Sequence, residues 1–324
     1  MRLGYACLTL GMESPSMRAA QLGRYQKGLV ELAPIYEYNL EYARRSVEHA
    51  AARGLLAYRL STDIFPLLDY AEDARRLVPS FAPVRRAFEA RGVHVSNHPG
   101  QFVVLSAHDE KIVQSSLAVL DDVGWTMESL GAEGSITLHG GGVYGDRKAA
   151  GARLHATLPR LTREARRLLA LENDEKSWTV LDLLDATKGE VPIVFDNLHW
   201  SANVRSATYD EELDAALASW PAGRLPELHY SEQAQGKPRG AHADLITGEK
   251  LLEFLGDLDA RRRGKDAVII VEAKKKDLAI GRAVHELGPR DRERLFSLVP
   301  TLATAPEAWF REAALRAEEL AKSS

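Results

Sequence analysis

Eight short apolar runs rich in β-formers alternate along the chain with longer stretches whose apolar residues recur at helical spacing. The clearest run, residues 191–195, begins with Val191 and Pro192 and is followed at once by Asp196 and Asn197. Unbroken apolarity over a few residues is typical of a strand buried on both faces. The predicted strands span residues 2–7, 55–60, 93–95, 135–138, 168–171, 191–195, 225–230 and 267–271.

The stretches between these strands carry signals for the ends of helices. Gly92 and Gly131 stand where a left-handed residue ends a helix, and Asp109 stands where an N-cap begins one. The predicted helices span roughly residues 34–53, 68–91 with an interruption near Pro79 and Pro83, 109–130, 153–167, 179–187, 209–217 and 248–261.

Strands that alternate with helices at roughly 30 to 40 residues per unit favour parallel pairing with right-handed crossovers. Eight units are enough to close an α/β barrel. We therefore predict a single (β/α)8 TIM-barrel domain over residues 1–324, with C-terminal helices at about 288–324 packed on the barrel. A doubly wound open sheet is the alternative. It is disfavoured because the sequence has no glycine-rich phosphate fingerprint after the first strand.

The composition fits one large folded domain and limits its chemistry. Of the 324 residues, 45% are hydrophobic, which is enough to bury a large core. Cys7 is the single cysteine, so an internal disulfide and a thiolate metal cluster are excluded, and any metal must be held by imidazoles and carboxylates. No run approaches the roughly 18 apolar residues of a spanning helix, and residues 1–10 do not resemble a signal peptide. We expect a cytoplasmic protein without a membrane partner.

The net charge of −4 and the pI of about 6.2 differ from those of proteins that simply coat nucleic acid, which are usually basic. This does not exclude a DNA-binding enzyme, because several divalent ions in one cleft would make that cleft positive. Basic runs occur at residues 261–265 and 274–276. We interpret both mainly as solvated surfaces, with Lys274 as a candidate cation at the rim of a site.

Histidine, aspartate and glutamate residues, whose side chains can bind metals, stand at the C-terminal ends of six predicted strands. In a parallel barrel these ends meet on one face, so side chains far apart in the sequence would line one cleft. Carboxylates bridge divalent ions, and imidazoles complete the coordination shells without cancelling all of the charge. We therefore predict a multinuclear metal site at the C-terminal face of the strands. Its candidate ligands are His98, His139, Glu172, Asp196, His199, His229 and Glu272, joined by His242 from the loop after the seventh strand.

The candidate ligands lie within a set of short motifs. These are R-L-G-Y at residues 2–5, Y-R-L-S at 58–61, N-H-P-G-Q-F at 97–102, L-H-G-G at 138–141, L-E-N-D-E at 171–175, F-D-N-L-H at 195–199, L-H-Y-S at 228–231, H-A-D at 242–244 and V-E-A-K-K-K at 271–276. Together the motifs are highly specific. They resemble those of the UV damage endonucleases, which are relatives of endonuclease IV in the metal-dependent TIM-barrel superfamily, and the resemblance covers most of the chain.

The resemblance implies a DNA repair endonuclease with a bacterial-type, nucleoid-associated activity. It implies incision of double-stranded DNA immediately 5′ to UV photoproducts, chiefly cyclobutane pyrimidine dimers and (6-4) photoproducts. It also implies three divalent ions, typically Mn2+, although Zn2+, Co2+ or Mg2+ would suit the same ligands. Carried over by motif, the ligands of one ion are His98, His139 and Glu172, those of the second are Glu172, Asp196, His229 and Glu272, and those of the third are His199 and His242. Glu172, Asp196 and Glu272 are then catalytic, together with Lys274 at the rim.

Lesion recognition is implied at Gln101 and Phe102, on the loop after His98, and at Tyr5 in the first strand. A polar and an aromatic residue side by side suit a wedge, in which Phe102 fills a gap in the base stack and Gln101 hydrogen-bonds to an orphaned base edge. Relatives often have a tyrosine at the position of Phe102. The stacking is therefore expected here without a phenolic hydrogen bond.

Glu227 departs from the pattern of the family. It lies two residues before His229 in the same predicted strand, so the two side chains share a face. We predict that Glu227 lies near the metals, as an outer ligand or as a hydrogen-bond acceptor that orients a ligating imidazole. The alternative is a solvent-facing glutamate after Pro226. Relatives commonly carry a lysine here that can be carboxylated, and we hypothesise that Glu227 supplies the same negative charge permanently.

Three other functions stay open at this point. An abasic-site endonuclease of the endonuclease IV type would use nearly the same ligands, and only the recognition loop, with Gln101 and Phe102, favours photoproducts. A metal-dependent sugar isomerase on the same barrel would have more carboxylates and fewer imidazoles. A binding-only module would not need so complete a ligand set. No obligate protein partner is predicted.

Overall fold

Eight parallel strands close into a barrel in which they follow one another in sequence order. The computed structural model describes residues 1–70 and 73–322, and all eight predicted strands lie within them. The predicted (β/α)8 barrel is confirmed, and each strand begins and ends within two residues of its predicted position. The strands are β1 (Arg2–Ala6), β2 (Ala57–Leu60), β3 (His94–Asn97), β4 (Ile136–His139), β5 (Leu169–Glu172), β6 (Ile193–Asp196), β7 (Glu227–Tyr230) and β8 (Val268–Val271).

Helices separate the strands, and two of them differ from the prediction. The helix predicted over 153–167 is two helices, because Pro159 lies in a 3-10 turn between them and has no backbone N–H to donate. The helix predicted over 68–91 contains a 3-10 turn at Ala74–Leu77 and an α-helix only from Ala82, and its residues 71–72 lie outside the described residues. The helices are α1 (Leu22–Tyr25), α2 (Ala33–Ala51), α3 (Ala82–Arg91), α4 (Glu110–Leu130), α5 (Arg147–Thr157), α6 (Arg163–Leu168), α7 (Val180–Thr187), α8 (Asn197–Ala202), α9 (Tyr209–Ala218), α10 (Gly248–Arg261), α11 (Lys276–Glu286), α12 (Pro289–Leu298) and α13 (Glu307–Lys322).

The side chains of each strand divide between the helices and the interior of the barrel. On β2, Tyr58 belongs to the large apolar core shared with the helices, whereas Ala57 packs in a separate small cluster with Val268 and Ile270 of β8. Because side chains alternate along a strand, Arg59 shares the inner face of Ala57. The interior therefore changes from apolar to charged as β2 approaches its C-terminal end.

The C-terminal helices pack against the helices that follow the last two strands. α13 lies against α11, and α12 against α10. The approach of α13 to α11 is close at Gly281, where a Cβ atom would lie 2.5 Å from the Cβ of Ala313 and 3.1 Å from the ring of Trp309. The missing side chain at position 281 thus sets the separation of these two helices. Within residues 1–70 and 73–322, no helix is long and apolar enough to cross a membrane.

Candidate metal centre

Glu172, the last residue of β5, lies at the centre of a group of imidazoles in the mouth of the barrel. Its carboxylate is buried, with Oε2 at 2.7 Å from Nε2 of His98 and Oε1 at 2.9 Å from Nδ1 of His229. His139 and His199 also place ring nitrogens 3.8 Å and 3.4 Å from the same carboxylate. One carboxylate is therefore shared by four imidazoles that come from different parts of the sequence.

The first turn of α8 fixes the geometry of Asp196 and His199. Asp196 ends β6 and is the N-cap of α8, where its Oδ1 accepts a hydrogen bond of 2.7 Å from the backbone N–H of His199. Asn173 holds both residues, since its side chain pairs with the backbone of Asp196 and its carbonyl oxygen lies 3.1 Å from Nδ1 of His199. A carbonyl oxygen can only accept, so Nδ1 of His199 keeps its proton and Nε2 is the nitrogen that can bind a cation.

Glu272 follows β8 directly and joins two more groups to the cluster. Its Oε1 forms an ion pair with Arg59 and lies 3.4 Å from Nδ1 of His229, and its Oε2 lies 3.4 Å from Nδ1 of His242. The loop after β7 brings His242 to this position through an isolated antiparallel bridge between His242 and Gln233. His242, which is predicted to reach the cleft from its loop, therefore lies next to Glu272 at the end of β8.

The eight predicted ligands form one continuous cluster. Ring centroids of neighbouring imidazoles are 5.0 Å apart for His98 and His139, and 5.7 Å apart for His139 and His199. The cluster contains three sets of residues, and within each set the ligand atoms lie within 4.8 Å of one another. These sets resemble the three that the family motifs imply, with two differences. Glu272 belongs to none of them, and Asp196 is also a member of the third. The sets are His98, His139 and Glu172; Glu172, Asp196 and His229; and Asp196, His199 and His242.

Three buried polar atoms of the cluster have no hydrogen-bond partner in the part of the chain that the structure describes, namely Oδ2 of Asp196, Nδ1 of His139 and Nε2 of His229. Buried polar atoms in native proteins nearly always have a partner, so an unpaired one indicates a bound ion or water. Carboxylate oxygens and imidazole nitrogens are the donors that divalent transition metals take in proteins. The residues of the cluster therefore fit divalent cations.

The charge of the carboxylates and the burial of the rings shift the pKa values of the imidazoles. Burial lowers the pKa of His199, but Asp196 and Glu172 outweigh burial and raise it to about 10. Burial likewise opposes protonation of His229, and Glu172 overrides it and raises the pKa to about 9. Burial lowers the pKa of His139 to about 4 against the pull of Glu172. Two of the imidazoles are therefore cationic at neutral pH, in the place where metal ions would balance the same carboxylates.

Glu227 is buried in the barrel interior, one pleat below His229, so the solvent-facing alternative is wrong. Its Oε1 lies 3.6 Å from Nε2 of His229, and its Oε2 lies 3.8 Å from Nε2 of His94 and accepts a hydrogen bond of 2.9 Å from Ser135. Burial raises the pKa of Glu227, but His229 and His94 outweigh burial and hold the pKa well below its usual range. The ring of His229 therefore lies between two carboxylates, with Nδ1 toward Glu172 and Nε2 toward Glu227.

Gln101 and Phe102 lie on the exposed loop between β3 and α4, as the wedge interpretation requires. Phe102 is 71% exposed, and its ring covers Gly100, where a Cβ atom would lie 2.6 Å from the ring. Gln101 lines a cavity of about 310 Å3 together with His98 and other members of the cluster. The predicted lesion-binding loop is therefore adjacent to the candidate metal centre.

Two predicted positions are not supported by the structure. Tyr5 is buried on the outer face of β1, where its hydroxyl group is 2.9 Å from that of Thr9 and its ring packs edge-on against Tyr58. The predicted contact of Tyr5 with a lesion is therefore wrong, because the ring faces the helices. Lys274 is 57% exposed, its ammonium group pairs with Asp244 at 3.2 Å, and it is not among the described residues that line the cavity. The structure therefore does not support a catalytic role for Lys274.

Two charged residues that the sequence analysis does not single out also line the cavity, namely Arg59 and Glu175. Arg59 is a charged residue within the apolar strand A-Y-R-L, and this contrast is the signal that would have identified it. Glu175 belongs to the acidic segment that follows β5, and it pairs with Lys176 at 3.0 Å. A search restricted to residues at strand ends misses both.

A closed α/β barrel with a cluster of imidazoles and carboxylates in its mouth defines a TIM-barrel protein with a candidate polynuclear metal centre. The model of the family described as UV-endonuclease UvdE matches residues 1–296, so the chain belongs to this family, as the motifs imply. The UV DNA damage endonuclease of Bacillus cereus (strain ATCC 10987 / NRS 248) is 30% identical over 265 residues, which are 79% of this chain and 83% of that protein. The UV DNA damage endonuclease of Bacillus anthracis (strain A0248) is 29% identical over 265 residues, with the same coverage.

Solved structures share the fold. The crystal structure of SacUVDE has a TM-score of 0.78 and 23% sequence identity, and the match covers 93% of this chain and 99% of that chain. The crystal structure of a D-tagatose 3-epimerase-like protein has a TM-score of 0.55 and 16% identity, and covers 80% of this chain and 93% of that chain. The barrel alone therefore does not separate an endonuclease from a sugar epimerase.

We expect Mn2+ to stabilise the folded protein and to release protons as it binds. A ligand present at 100 times its dissociation constant stabilises the native state by about 2.7 kcal/mol, so the melting temperature should rise on addition of Mn2+ and fall again with EDTA. His199 and His229, with pKa values of about 10 and 9, are protonated at pH 7.5 and must lose a proton to bind a metal. Calorimetry in buffers of different ionisation enthalpy measures this release.

Glu172→Gln is the matched variant for this experiment, because it keeps the shape of the shared carboxylate and removes its charge. Most of the Mn2+-dependent rise in melting temperature should be lost. A rise of the same size in this variant would show that the ions bind elsewhere.

Proposed function

We propose that this protein is a metal-dependent DNA repair endonuclease that incises double-stranded DNA immediately 5′ to UV photoproducts, with three divalent ions, most often Mn2+. The observation that carries the proposal is the cluster of eight imidazole and carboxylate side chains in the barrel mouth of a chain from the UV-endonuclease UvdE family. Relatives named UV DNA damage endonuclease support the choice of substrate.

The proposed ligand groups follow the distances within the cluster. Glu172 would hold two ions, because its two oxygens face different imidazoles. Asp196 uses Oδ1 to cap α8 and keeps Oδ2 for an ion. The proposed groups are His98, His139 and Glu172 for the first ion; Glu172, Asp196, His229 and Glu272 for the second; and Asp196, His199 and His242 for the third.

When bound, divalent ions make a hydroxide nucleophile available at neutral pH and neutralise the charge that develops on the phosphate. In the proposed hydrolysis a bond forms between water oxygen and phosphorus, and the bond from phosphorus to the 3′-oxygen breaks. The products are a 3′-hydroxyl and a 5′-phosphate. The chain contributes by fixing the donors. His98 and His199 each place Nδ1 near a backbone carbonyl oxygen, at 2.9 Å and 3.1 Å, which sets the ring orientation before DNA binds.

Phe102 and Gln101 are the proposed lesion-recognition residues. The ring of Phe102 is exposed at the tip of a loop, so it can enter the base stack without disturbing the core. Gln101 precedes Phe102 in the loop and lines the cavity beside the candidate ligands, so its amide group can contact a base displaced toward the cleft. A photoproduct weakens stacking and pairing, and this lowers the cost of inserting a wedge.

The proposal is tested by incision of three duplexes that carry a pyrimidine dimer, an abasic site or no lesion, each with Mn2+ and with EDTA. We expect a single cut on the 5′ side of the dimer, dependent on Mn2+, and no cut in the undamaged duplex. Cutting only at the abasic site would replace the proposal with an endonuclease of the endonuclease IV type. No cutting of any duplex would contradict an endonuclease function.

Replacement of Phe102 by alanine should weaken binding to dimer-containing DNA by about 5- to 150-fold, because loss of one stacked aromatic ring costs about 1–3 kcal/mol. The metal content should not change, since Phe102 is 71% exposed and outside the cluster. Fluorescence anisotropy with damaged and undamaged duplexes measures the loss. Phe102→Tyr keeps the ring and serves as the control. Equal losses on both duplexes would give Phe102 a role unrelated to lesions.

Replacement of Glu227 by glutamine should reduce activity or metal affinity by about 10- to 100-fold, as is typical when a carboxylate that supports a ligating imidazole is removed. Ser135→Ala is the control, because it removes the 2.9 Å hydrogen bond to Glu227 but leaves the negative charge. Glu227→Lys should regain activity on addition of bicarbonate, which can carboxylate the lysine. A glutamine variant with the metal content and rate of the wild type would exclude a role for the charge.

A further inference from the structure

Arg59 is a buried cation inside a site that consists otherwise of metal-binding groups. It lies on β2, one pleat above the apolar interior residue Ala57, and its side chain is 12% exposed. Its backbone is fixed by pairing with Ala6 and by a hydrogen bond of 2.8 Å from the N–H of Cys7. The guanidinium group therefore reaches the mouth of the barrel from a rigid strand, at a position where no loop movement is needed.

Arg59 lines the cavity beside the candidate ligands. The residues around it there include His98, His139, Glu172, His199 and Glu272. Among the described residues that line this cavity, Arg59 is the only lysine or arginine. A fixed positive charge in this place balances part of the carboxylate charge but also repels divalent cations, so it does not strengthen the binding of metals.

The donors of Arg59 are not all used within the protein. One Nη group pairs with Oε1 of Glu272, and Nε is buried without a hydrogen-bond partner in the described part of the chain. The contact with Glu272 holds the planar group in one orientation. Because Arg59 lines the cavity and Glu272 takes only one Nη group, guanidinium donors remain that face the space a substrate would enter.

We propose that Arg59 binds a non-bridging oxygen of the scissile phosphodiester and stabilises the charge that develops on it during hydrolysis. A guanidinium group stays charged at every accessible pH and matches two phosphate oxygens with parallel N–H donors, which an ammonium group does not. The inference rests on the proposed endonuclease function and adds to it a cation that belongs to the protein itself. Arg59 would contact DNA even when no divalent ion is bound.

A purely structural role would give different results. If Arg59 only orients Glu272, its removal would lower the metal content and leave the affinity of metal-free protein for DNA unchanged. If Arg59 binds phosphate, its removal takes away one phosphate contact, while the metal content stays the same or rises because a repelling charge is gone.

The experiment compares wild type, Arg59→Gln, Arg59→Lys and the control Arg163→Gln, whose side chain is 85% exposed and pairs with Glu164. Binding of each metal-free protein to a dimer-containing duplex in EDTA is followed by anisotropy over a range of salt concentrations. We expect the slope of log affinity against log salt to fall by about 0.9 for Arg59→Gln and to stay unchanged for Arg59→Lys and Arg163→Gln. Metal content, measured by atomic emission, should be at least that of the wild type in all variants.

Incision with saturating Mn2+ supplies the second readout. The kcat of Arg59→Gln should fall by about 100- to 1,000-fold, as for removal of one preorganised donor to a developing charge. Arg59→Lys should also lose rate although it keeps the charge, because it lacks the paired donors. An unchanged salt slope together with loss of metal in Arg59→Gln would overturn the inference and leave the endonuclease function standing. A wild type that neither binds nor cuts damaged DNA would overturn both.

Discussion

Repulsion among buried carboxylates is the constraint on which the centre of this molecule depends. Glu172, Asp196, Glu227 and Glu272 are each at most 8% exposed, and all four lie in or just below one barrel mouth. A buried carboxylate without compensation costs several kcal/mol, so the barrel tolerates four only when cations surround them. Protonated imidazoles and Arg59 supply such cations within the chain, and bound metals would supply more charge at the same positions. The cluster is therefore built around an excess of negative charge.

The apolar outer faces of the strands stabilise the barrel enough to tolerate these buried charges. Every strand turns alternate side chains outward into one large core that includes the helices, and the charged residues occupy the opposite face near the C-terminal ends. The stability of the barrel thus comes from a surface that does not take part in the site. The inner face can carry polar residues because the packing of the outer face holds the strands in place.

The sequence predicts the strands and the barrel well, because a buried parallel strand is a short apolar run. The eight candidate ligands could be selected because a polar residue at the end of such a run is conspicuous, and their role as ligands stays a prediction. Inner and outer faces are harder to predict from such runs, since both are apolar. Tyr5 illustrates this limit: in R-L-G-Y-A nothing in the residue types shows that the ring faces the helices. For Glu227 the inner face can be assigned by the alternation of side chains, because His229, two residues later, supplies a reference. Arg59 could be assigned to the site only from the structure, since a search for metal ligands does not select an arginine.

Strand β8 both closes the barrel and precedes the last ligand. It pairs with β1 over four residues, and Arg2 contacts Asp266 across 264 positions of sequence. Contacts between such distant segments form late, because the entropy of closing a long loop must be overcome first. During synthesis, Glu272 leaves the ribosome after the other seven candidate ligands. A growing chain therefore has no complete centre, and the proposed nuclease acquires its full set of ligands only when its final strand joins the first.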